Sequence, residues 1–137
     1  MAANTHLSMA SWNLALDAAI NVCNGGFFDI YDSTGTGQPA TPDVAVTTQV
    51  KLAHCALSAT AFGASASGVK TANAISNGTG LAVGTATWFR VTTSSGTAVW
   101  DGSVGTSGTD CIMADTAITV NGSVPITSCT ISMPVGQ

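Results

Sequence analysis

The sequence predicts an all-β protein: an antiparallel two-sheet sandwich, jelly-roll-like, with about eight strands and a short N-terminal helix. Many short β-rich runs follow one another at close spacing, and glycine-rich turns separate them. No helices alternate with those runs, which argues against a parallel α/β fold. Only one segment, near the N-terminus, has helical periodicity. A chain of 137 residues fits a single domain, 1–137.

Residues 8–23 are predicted to form the helix. Their apolar positions fall 3, 4, 4 and 3 residues apart on one helical stripe, at Met9, Trp12, Leu16, Ile20 and Cys23. A serine at position 8 or 11 can cap the start, and the Asn-Gly-Gly at 24–26 ends the helix. Residues 1–7 precede the cap and lack the regular apolar spacing of a buried helix or strand. We expect them to form an arm that lies on a neighbouring subunit.

The strands are predicted between residues 27 and 133. Turn residues bound runs at 27–32, 50–58, 69–75, 85–92, 97–101, 111–113, 117–120 and 124–133. The clearest pair is a hairpin over 84–102, in which Phe89 and Val91 share one face and Trp88 and Arg90 share the other. Residues 102–108 are interpreted as a glycine-rich corner. Exposed edge strands are expected to be able to pair with a neighbouring subunit.

Charged side chains are scarce. They make up 7% of the residues, seven Asp and three Lys or Arg with a net charge of −4, whereas Thr and Ser number 20 and 14. Three basic residues cannot build a phosphate-neutralising surface, so no nucleic-acid partner is expected. No apolar run approaches the ~18–20 residues that span a bilayer, so no membrane partner is expected. The first residues lack the pattern of a signal peptide.

The scarcity of charge points to an assembly. A monomer of 13.6 kDa exposes about 6,600 Å², so ten charged side chains give about one per 660 Å², against about one per 190 Å² at average composition. Interspersed charges keep soluble monomers apart. We therefore expect neighbouring subunits to cover most of this surface, with self-association as a dimer or trimer.

No motif for catalysis, a metal or a cofactor is found, so no enzyme activity is expected. The chain has two His and no Glu, and no serine lies in a Gly-x-Ser-x-Gly turn. A triad assembled from distant strands is the alternative. Asp101, Asp110 and Asp115 flank the glycine-rich corner, and we interpret them as turn formers rather than calcium ligands.

The four cysteines lack the spacing of a zinc site, at Cys23, Cys55, Cys111 and Cys129. We expect buried free thiols, with a disulfide pair as the alternative in an oxidising setting. His54 and Cys55 are adjacent, so on a strand they point to opposite faces.

Four aromatic side chains invite a binding interpretation. Trp12 lies on the helix stripe and is expected in the core. Trp88 and Trp100 lie on the two arms of the predicted hairpin, where they can pair across it. Together with Tyr31 they are interpreted as interface anchors, with sugar stacking as the alternative.

Three stretches resemble a recurring pattern in small structural proteins of tailed double-stranded DNA bacteriophages. The first is GTATWFRVTTSSGTAVWDGSVGTSGTD at 84–110. The second combines Phe28–Tyr31 with the Gln-Pro-Ala-Thr-Pro at 38–42, and the third is VPITSCTISMP at 124–134. This chain departs from the pattern in a longer turn after Tyr31 and in Cys129, which stands where an aromatic is usual.

The resemblance implies a virion protein, a capsid cement or decoration protein with a β-sandwich or jelly-roll fold. Its partner would be the major capsid protein, on the capsid exterior of a particle assembled in the bacterial host cytoplasm. The alternatives are a tail or adsorption component of the virion and a carbohydrate-binding module. The family carries no catalytic motif that could be transferred.

The interface candidates come from the arm, the proline-bearing loop 38–48 and the strand aromatics. They are Ala3, Asn4, Thr5, His6, Leu7, Tyr31, Pro39, Pro42, Trp88 and Trp100.

Overall fold

The protein is mostly β, with one short N-terminal helix, as the sequence predicts. A computed structural model describes residues 6–132. Helix α1 spans Met9–Ile20, and a single 3₁₀ turn, Asn21–Cys23, follows it. The strands are β1 Phe27–Tyr31, β2 Lys51–Ala56, β3 Val69–Thr71, β4 Gly78–Thr79, β5 Gly84–Thr85, β6 Trp88–Thr92, β7 Ala98–Gly105, β8 Cys111–Ile112, β9 Ala117–Ile118, β10 Ser123–Val124 and β11 Ser128–Ser132.

Helix α1 begins and ends where the sequence predicts. The Ser8 side chain caps the start by accepting a hydrogen bond from the backbone N–H of Ser11, at 3.2 Å. Gly25 adopts a φ of +69° beyond the last turn, a conformation that glycine accepts without strain. Leu16 and Ile20 are buried, whereas Met9 is exposed and Trp12 only half-buried, so the N-terminal end of the stripe lies outside the core.

A polar stripe fixes the helix on the sheet. Asn13, Asp17 and Asn21 are four residues apart and lie on one helix face. The Nζ of Lys70 on β3 donates to Oδ1 of Asp17 at 2.5 Å and to Oδ1 of Asn21 at 3.2 Å. The backbone N–H of Gly68 donates to Oδ1 of Asn13 at 3.0 Å. Lys70 is only 1% exposed, so its charge is neutralised inside the fold.

The largest sheet has seven strands in the order β2-β1-β6-β7-β8-β11-β3. Strands β10 and β4 form a second sheet, and β5 and β9 form a third. The predicted hairpin is present as β6 and β7, which pair antiparallel. Residues 6–132 thus form eleven strands in three sheets, where the sequence predicts two sheets of about eight strands.

The large sheet is mixed, so the prediction of a purely antiparallel fold is wrong. Strand β8 runs parallel to β7, with Val104 opposite Cys111. A tight loop at 106–110 connects them, and in it the Asp110 carboxylate accepts from both the N–H and the hydroxyl of Ser103, each at 2.9 Å. These bonds close the loop, which returns the chain to the level of Val104 so that β8 lies beside the end of β7 and runs in the same direction. The glycine-rich corner is also shorter than predicted, because Gly102 and Gly105 belong to β7.

The core lies between one face of the large sheet and α1. Phe28 and Phe89 stack with ring centroids 4.3 Å apart, and Trp100 meets Phe89 edge-on at 4.9 Å. All four cysteines are buried and free, as the sequence predicts. His54 is exposed and Cys55 is buried, which confirms that they point to opposite faces of β2.

Segments of the same chain cover both edges of the large sheet. At β2, the N–H of Leu81 donates to the carbonyl of Leu52 at 2.8 Å, and that of Ser76 donates to Ala56 at 3.2 Å. At β3, the N–H of Gly63 donates to the carbonyl of Thr71 at 2.9 Å. The expectation of exposed edges that pair with a neighbour is therefore wrong for this sheet.

Candidate interaction surfaces

A row of ionic side chains crosses the outer face of the large sheet. Strand pairing places His54, Asp29, Arg90 and Asp101 directly side by side on β2, β1, β6 and β7. Alternate residues of a strand share a face, so these side chains all lie opposite the core. The chain has few charged side chains, and a large part of them lies on this one sheet face.

Arg90 connects this row to the loop above it. Its guanidinium binds Asp101 at two points, with Nε to Oδ1 at 2.7 Å and Nη2 to Oδ2 at 2.8 Å. Nη1 donates to the carbonyl oxygen of Val44 at 2.8 Å. The hydrogen bonds with Asp101 raise the pKa of Arg90, so the guanidinium stays charged throughout the usual pH range. Arg90 thereby holds the loop 38–48 against the sheet.

The other end of the row is built around Asp29. Its carboxylate accepts from Nζ of Lys51 at 2.9 Å and contacts Nδ1 of His54. Burial lowers the pKa of Lys51, but the hydrogen bond and charge of Asp29 outweigh that effect, so the pKa is raised. Burial raises the pKa of Tyr31, over whose ring Lys51 lies at 5.9 Å. Asp29 and Lys51 balance each other's charge, so little unpaired charge remains at this end of the row.

A cleft of about 480 Å³ lies between this face and the loop. Its walls include Asp29, Tyr31, Lys51, Arg90, Pro42, Asp43, Ala45, Val46, Thr92, Gly96, Thr97 and Ala98. Among these residues there is no histidine, cysteine or serine. Over residues 6–132, no group of three His, Cys, Asp or Glu side chains could hold a metal ion.

All three basic side chains of the protein are paired with aspartates. The pairs are Lys51 with Asp29, Lys70 with Asp17 and Arg90 with Asp101. Seven aspartates less these three leave four, which equals the net charge of −4. Within residues 6–132, each lysine and arginine therefore has its charge balanced by an aspartate of the same chain.

The unpaired aspartates mostly organise turns. Oδ1 of Asp32 accepts from both the N–H and the hydroxyl of Thr34 at 2.8 Å, and these bonds lower the pKa of Asp32. Asp115 accepts from the N–H of Ala117 at 2.9 Å. Asp110 and Asp115 therefore act as predicted, whereas Asp101 is an ion-pair partner and not a turn former.

The outer face of α1, its exposed positions 9–11, 14, 15, 18 and 19, carries no charge. Leu14 is 71% exposed at its centre. The only charged residue of the helix, Asp17, faces Lys70 instead. An apolar groove of about 340 Å³ runs beside the helix and is lined by Ile20, Val99 and Ile131 among others. An exposed apolar surface on a helix face is typical of a site that contacts other protein.

A second exposed apolar surface, called here the 81–120 patch, lies on the small sheets. It consists of Leu81, Val83 and Val120, of which Val83 is 73% exposed. Backbone hydrogen bonds from Gly80 to Gly122 and from Asn121 to Gly80, both 2.8 Å, hold the two segments together. The sequence analysis did not single out this patch, because these residues are far apart in the chain.

The strand aromatics proposed as interface residues lie inside the protein. Trp88, Tyr31 and Trp100 are 1%, 3% and 9% exposed. Tyr31 and Trp88 stack with their centroids 4.3 Å apart. Trp88 lies opposite Ser103, and Trp100 lies opposite Val91, so the two tryptophans occupy opposite sheet faces and do not pair. None of the three offers an exposed platform in this chain.

The remaining candidates lie in the loop and the arm. Pro39 and Pro42 are half-buried, and Pro42 lines the cleft. The loop is compact because its ends are joined, with the hydroxyls of Thr36 and Thr48 2.6 Å apart. In the arm, His6 and Leu7 are exposed, whereas Ala3, Asn4 and Thr5 lie outside the described residues.

Comparison with known proteins found no match for this chain among family models, curated protein sequences or solved structures. Within residues 6–132, the single α-helix is too short to cross a lipid bilayer.

Proposed function

We propose that the protein is a virion structural protein, a capsid cement or decoration protein that binds the major capsid protein lattice from outside. The observation that carries this proposal is an exterior with few charges: within residues 6–132 each lysine and arginine is paired with an aspartate, and α1 exposes an apolar face. The jelly-roll-like sandwich also belongs to the proposal, because such folds are common among the proteins that the sequence resembles.

A surface with few charged groups is suited to attachment to a protein lattice. An interface without charged groups avoids the cost of desolvating ions, so apolar contacts contribute with little opposition. A protein that binds only the closed lattice stabilises it by mass action. Repetition of one interface over the shell adds these contributions together, which counteracts the internal pressure of packaged DNA.

The outer face of α1 and its adjoining groove are the proposed contact with the capsid protein. The loop 38–48 supplies a second contact, because Arg90 fixes its inner side and leaves Val44 half exposed. The 81–120 patch is available for self-association into a dimer or trimer on the particle.

Replacement of Leu14 by lysine tests the helix contact. The change adds a charge at an exposed position, so the fold should remain intact. Binding to capsids should weaken by at least about tenfold, since an unpaired ammonium costs more than about 1.4 kcal/mol to bury. Occupancy on particles that lack the wild-type protein would be measured by gel densitometry. Ser95→Lys, at the exposed turn between β6 and β7, adds the same charge elsewhere and should bind normally.

Two comparisons bear on the role itself. Particles without the protein should release DNA at lower temperature and after milder osmotic shock than complete particles. Equal stability with and without the protein would contradict the cement function.

Removal of residues 2–7 should reduce incorporation if the arm lies on a neighbour, and unchanged occupancy would show that the arm is not used.

No observation favours the two alternatives drawn from the sequence. A receptor-binding tail component and a carbohydrate-binding module would both use Tyr31, Trp88 and Trp100, and all three are buried. Labelling of the protein on phage heads or tails distinguishes the first. Binding of the isolated protein to a glycan array, weakened by Trp100→Ala, would support the second.

A further inference from the structure

Two buried cysteines face each other on neighbouring strands. Cys111 on β8 lies directly opposite Cys129 on β11 in an antiparallel pair, and neither residue is exposed. The N–H of Thr130 donates to the carbonyl of Asp110 at 2.9 Å, beside the pair rather than within it. That position is a non-hydrogen-bonded site, where opposite Cα atoms are about 4.5 Å apart and the side chains are closest.

This spacing is compatible with a disulfide. Bridged cysteines have Cα atoms about 4.4–6.8 Å apart, so the backbone would need little movement. A hydrogen bond from the Cys129 thiol to Cys111, together with burial, raises the pKa of Cys129. The other two cysteines have no cysteine opposite them, since Cys55 pairs with Phe28 and Cys23 lies in the turn after α1.

We propose that Cys111 and Cys129 are a specific site of disulfide formation when the chain folds in the presence of a disulfide oxidant such as oxidised glutathione. The thiolate of one cysteine attacks the glutathione disulfide and releases one glutathione, which leaves a mixed disulfide. The thiolate of the other then attacks the protein sulfur of that bond and releases the second glutathione. Two protein thiols are oxidised, one disulfide of the oxidant is reduced, and the two protons appear on the released thiols.

The step belongs to folding rather than to the finished protein. In the folded chain both sulfurs are buried and protonated, so attack on an external disulfide is slow. During folding the thiols are accessible, and strand pairing brings these two together. The proposal is independent of the capsid function, because it depends only on the register of β8 and β11.

The bond would join β11 to β8 next to the parallel β7–β8 pair. It would close a loop from residue 111 to residue 129 and restrict the unfolded chain. The oxidised protein should therefore melt about 5–10 °C above the reduced protein.

Aspartate positions make the test direct. A protease that cuts before aspartate separates the four cysteines into different peptides: 17–28 holds Cys23, 43–100 holds Cys55, 110–114 holds Cys111 and 115–137 holds Cys129. The full chain is refolded from denaturant with oxidised and reduced glutathione, alkylated, digested without reduction and analysed by mass spectrometry. The expected product joins 110–114 to 115–137, with Cys23 and Cys55 alkylated and an intact mass lower by two hydrogens before alkylation.

The competing pairing is between Cys111 and Cys55, which is the other cysteine on a strand of the large sheet. A bridge between 43–100 and 110–114, random pairing, or four alkylated cysteines in the refolded wild type would each overturn the proposal. Cys23→Ser should retain the bridge and Cys129→Ser should lose it. The wild-type peptide map decides the question even if a variant fails to fold.

Discussion

Arg90 and Asp101 form a two-point ion pair across β6 and β7, and both side chains are almost completely buried. The same guanidinium holds the loop 38–48 through the carbonyl oxygen of Val44. One side chain thus joins two strands to a long loop. This explains why all five residues of β6 are buried although the strand alternates between the core and the opposite face.

Replacement of Asp101 by asparagine should destabilise the protein strongly. Loss of one partner leaves a buried guanidinium without a counter-charge, which typically costs about 3–5 kcal/mol. Urea unfolding at neutral pH measures the change. Asp43→Asn removes an exposed carboxylate from the same cleft, and its effect should stay within about 0.5 kcal/mol. Similar stability of the two variants would show that the buried pair contributes little.

Acid should destabilise the fold. The hydrogen bond from Lys70 lowers the pKa of Asp17, and the backbone hydrogen bond from Thr34 lowers that of Asp32, each from an ordinary value of 3.8. The unfolded chain therefore takes up these protons first as the pH falls. The stabilisation is complete above about pH 5 and is lost as the pH drops below 3.8 through the folded-state pKa values.

Asp17→Asn provides the test of that acid dependence. The variant should be less stable than the wild type at neutral pH, and its stability should fall less steeply between about pH 4 and pH 2. Denaturant unfolding over a pH series measures both slopes. An unchanged slope would mean that the pairing of Asp17 with Lys70 does not contribute to acid sensitivity.

Gly102 should not tolerate a side chain. A Cβ at this position would lie 2.5 Å from Cζ of Phe89, whose ring packs directly over the strand. Gly102→Ala is therefore expected to cost about 1–3 kcal/mol by overpacking, measured by urea unfolding. Gly37→Ala is the matched control, because nothing lies within 4 Å of its Cβ; it should be neutral or stabilising by up to about 1 kcal/mol. Equal effects of the two substitutions on the free energy of unfolding would show that the Phe89 ring does not pack against Gly102.

The reduced, folded protein should protect its thiols. Burial raises the pKa of Cys23 and of Cys55 to about 11, so about one thiol in a thousand is ionised at pH 8. An aromatic disulfide reagent that yields a coloured product with each thiol should react little with the native protein. In denaturant it should react with four thiols per chain. Rapid native reaction of one equivalent would reveal a cysteine that is more accessible than its burial implies.

The sequence predicts those elements whose signals are local. Ser8 and Gly25 mark the ends of α1, and the turn at Gly96 joins β6 to β7, because caps and turns depend on residues a few positions apart. Alternation likewise predicts that Phe89 and Val91 share one face, and both are buried in the core. Pro125 interrupts the predicted final strand and separates β10 from β11, because it cannot donate to a ladder.

Contacts between segments that are distant in the chain cannot be predicted from such local signals. The parallel course of β8 depends on Asp110 binding Ser103, which a pattern of strand-forming residues does not encode. Trp88 was expected to be a surface anchor, but Tyr31 stacks on it and the guanidinium of Arg90 lies over its ring at 5.8 Å. The burial of Lys70 likewise depends on a helix more than 45 residues away, as the separation of 53 between Lys70 and Asp17 shows.

The self-covered sheet edges have a consequence for crowding. Many copies held close together on a shell would meet at high local concentration, the condition under which open β-strands recruit one another into fibrils. Here the segments after Leu57 and before Leu81 already occupy the places where a foreign strand would add. If copies are packed closely, we therefore expect them to contact one another through side chains and not by adding strands to the edges of the large sheet.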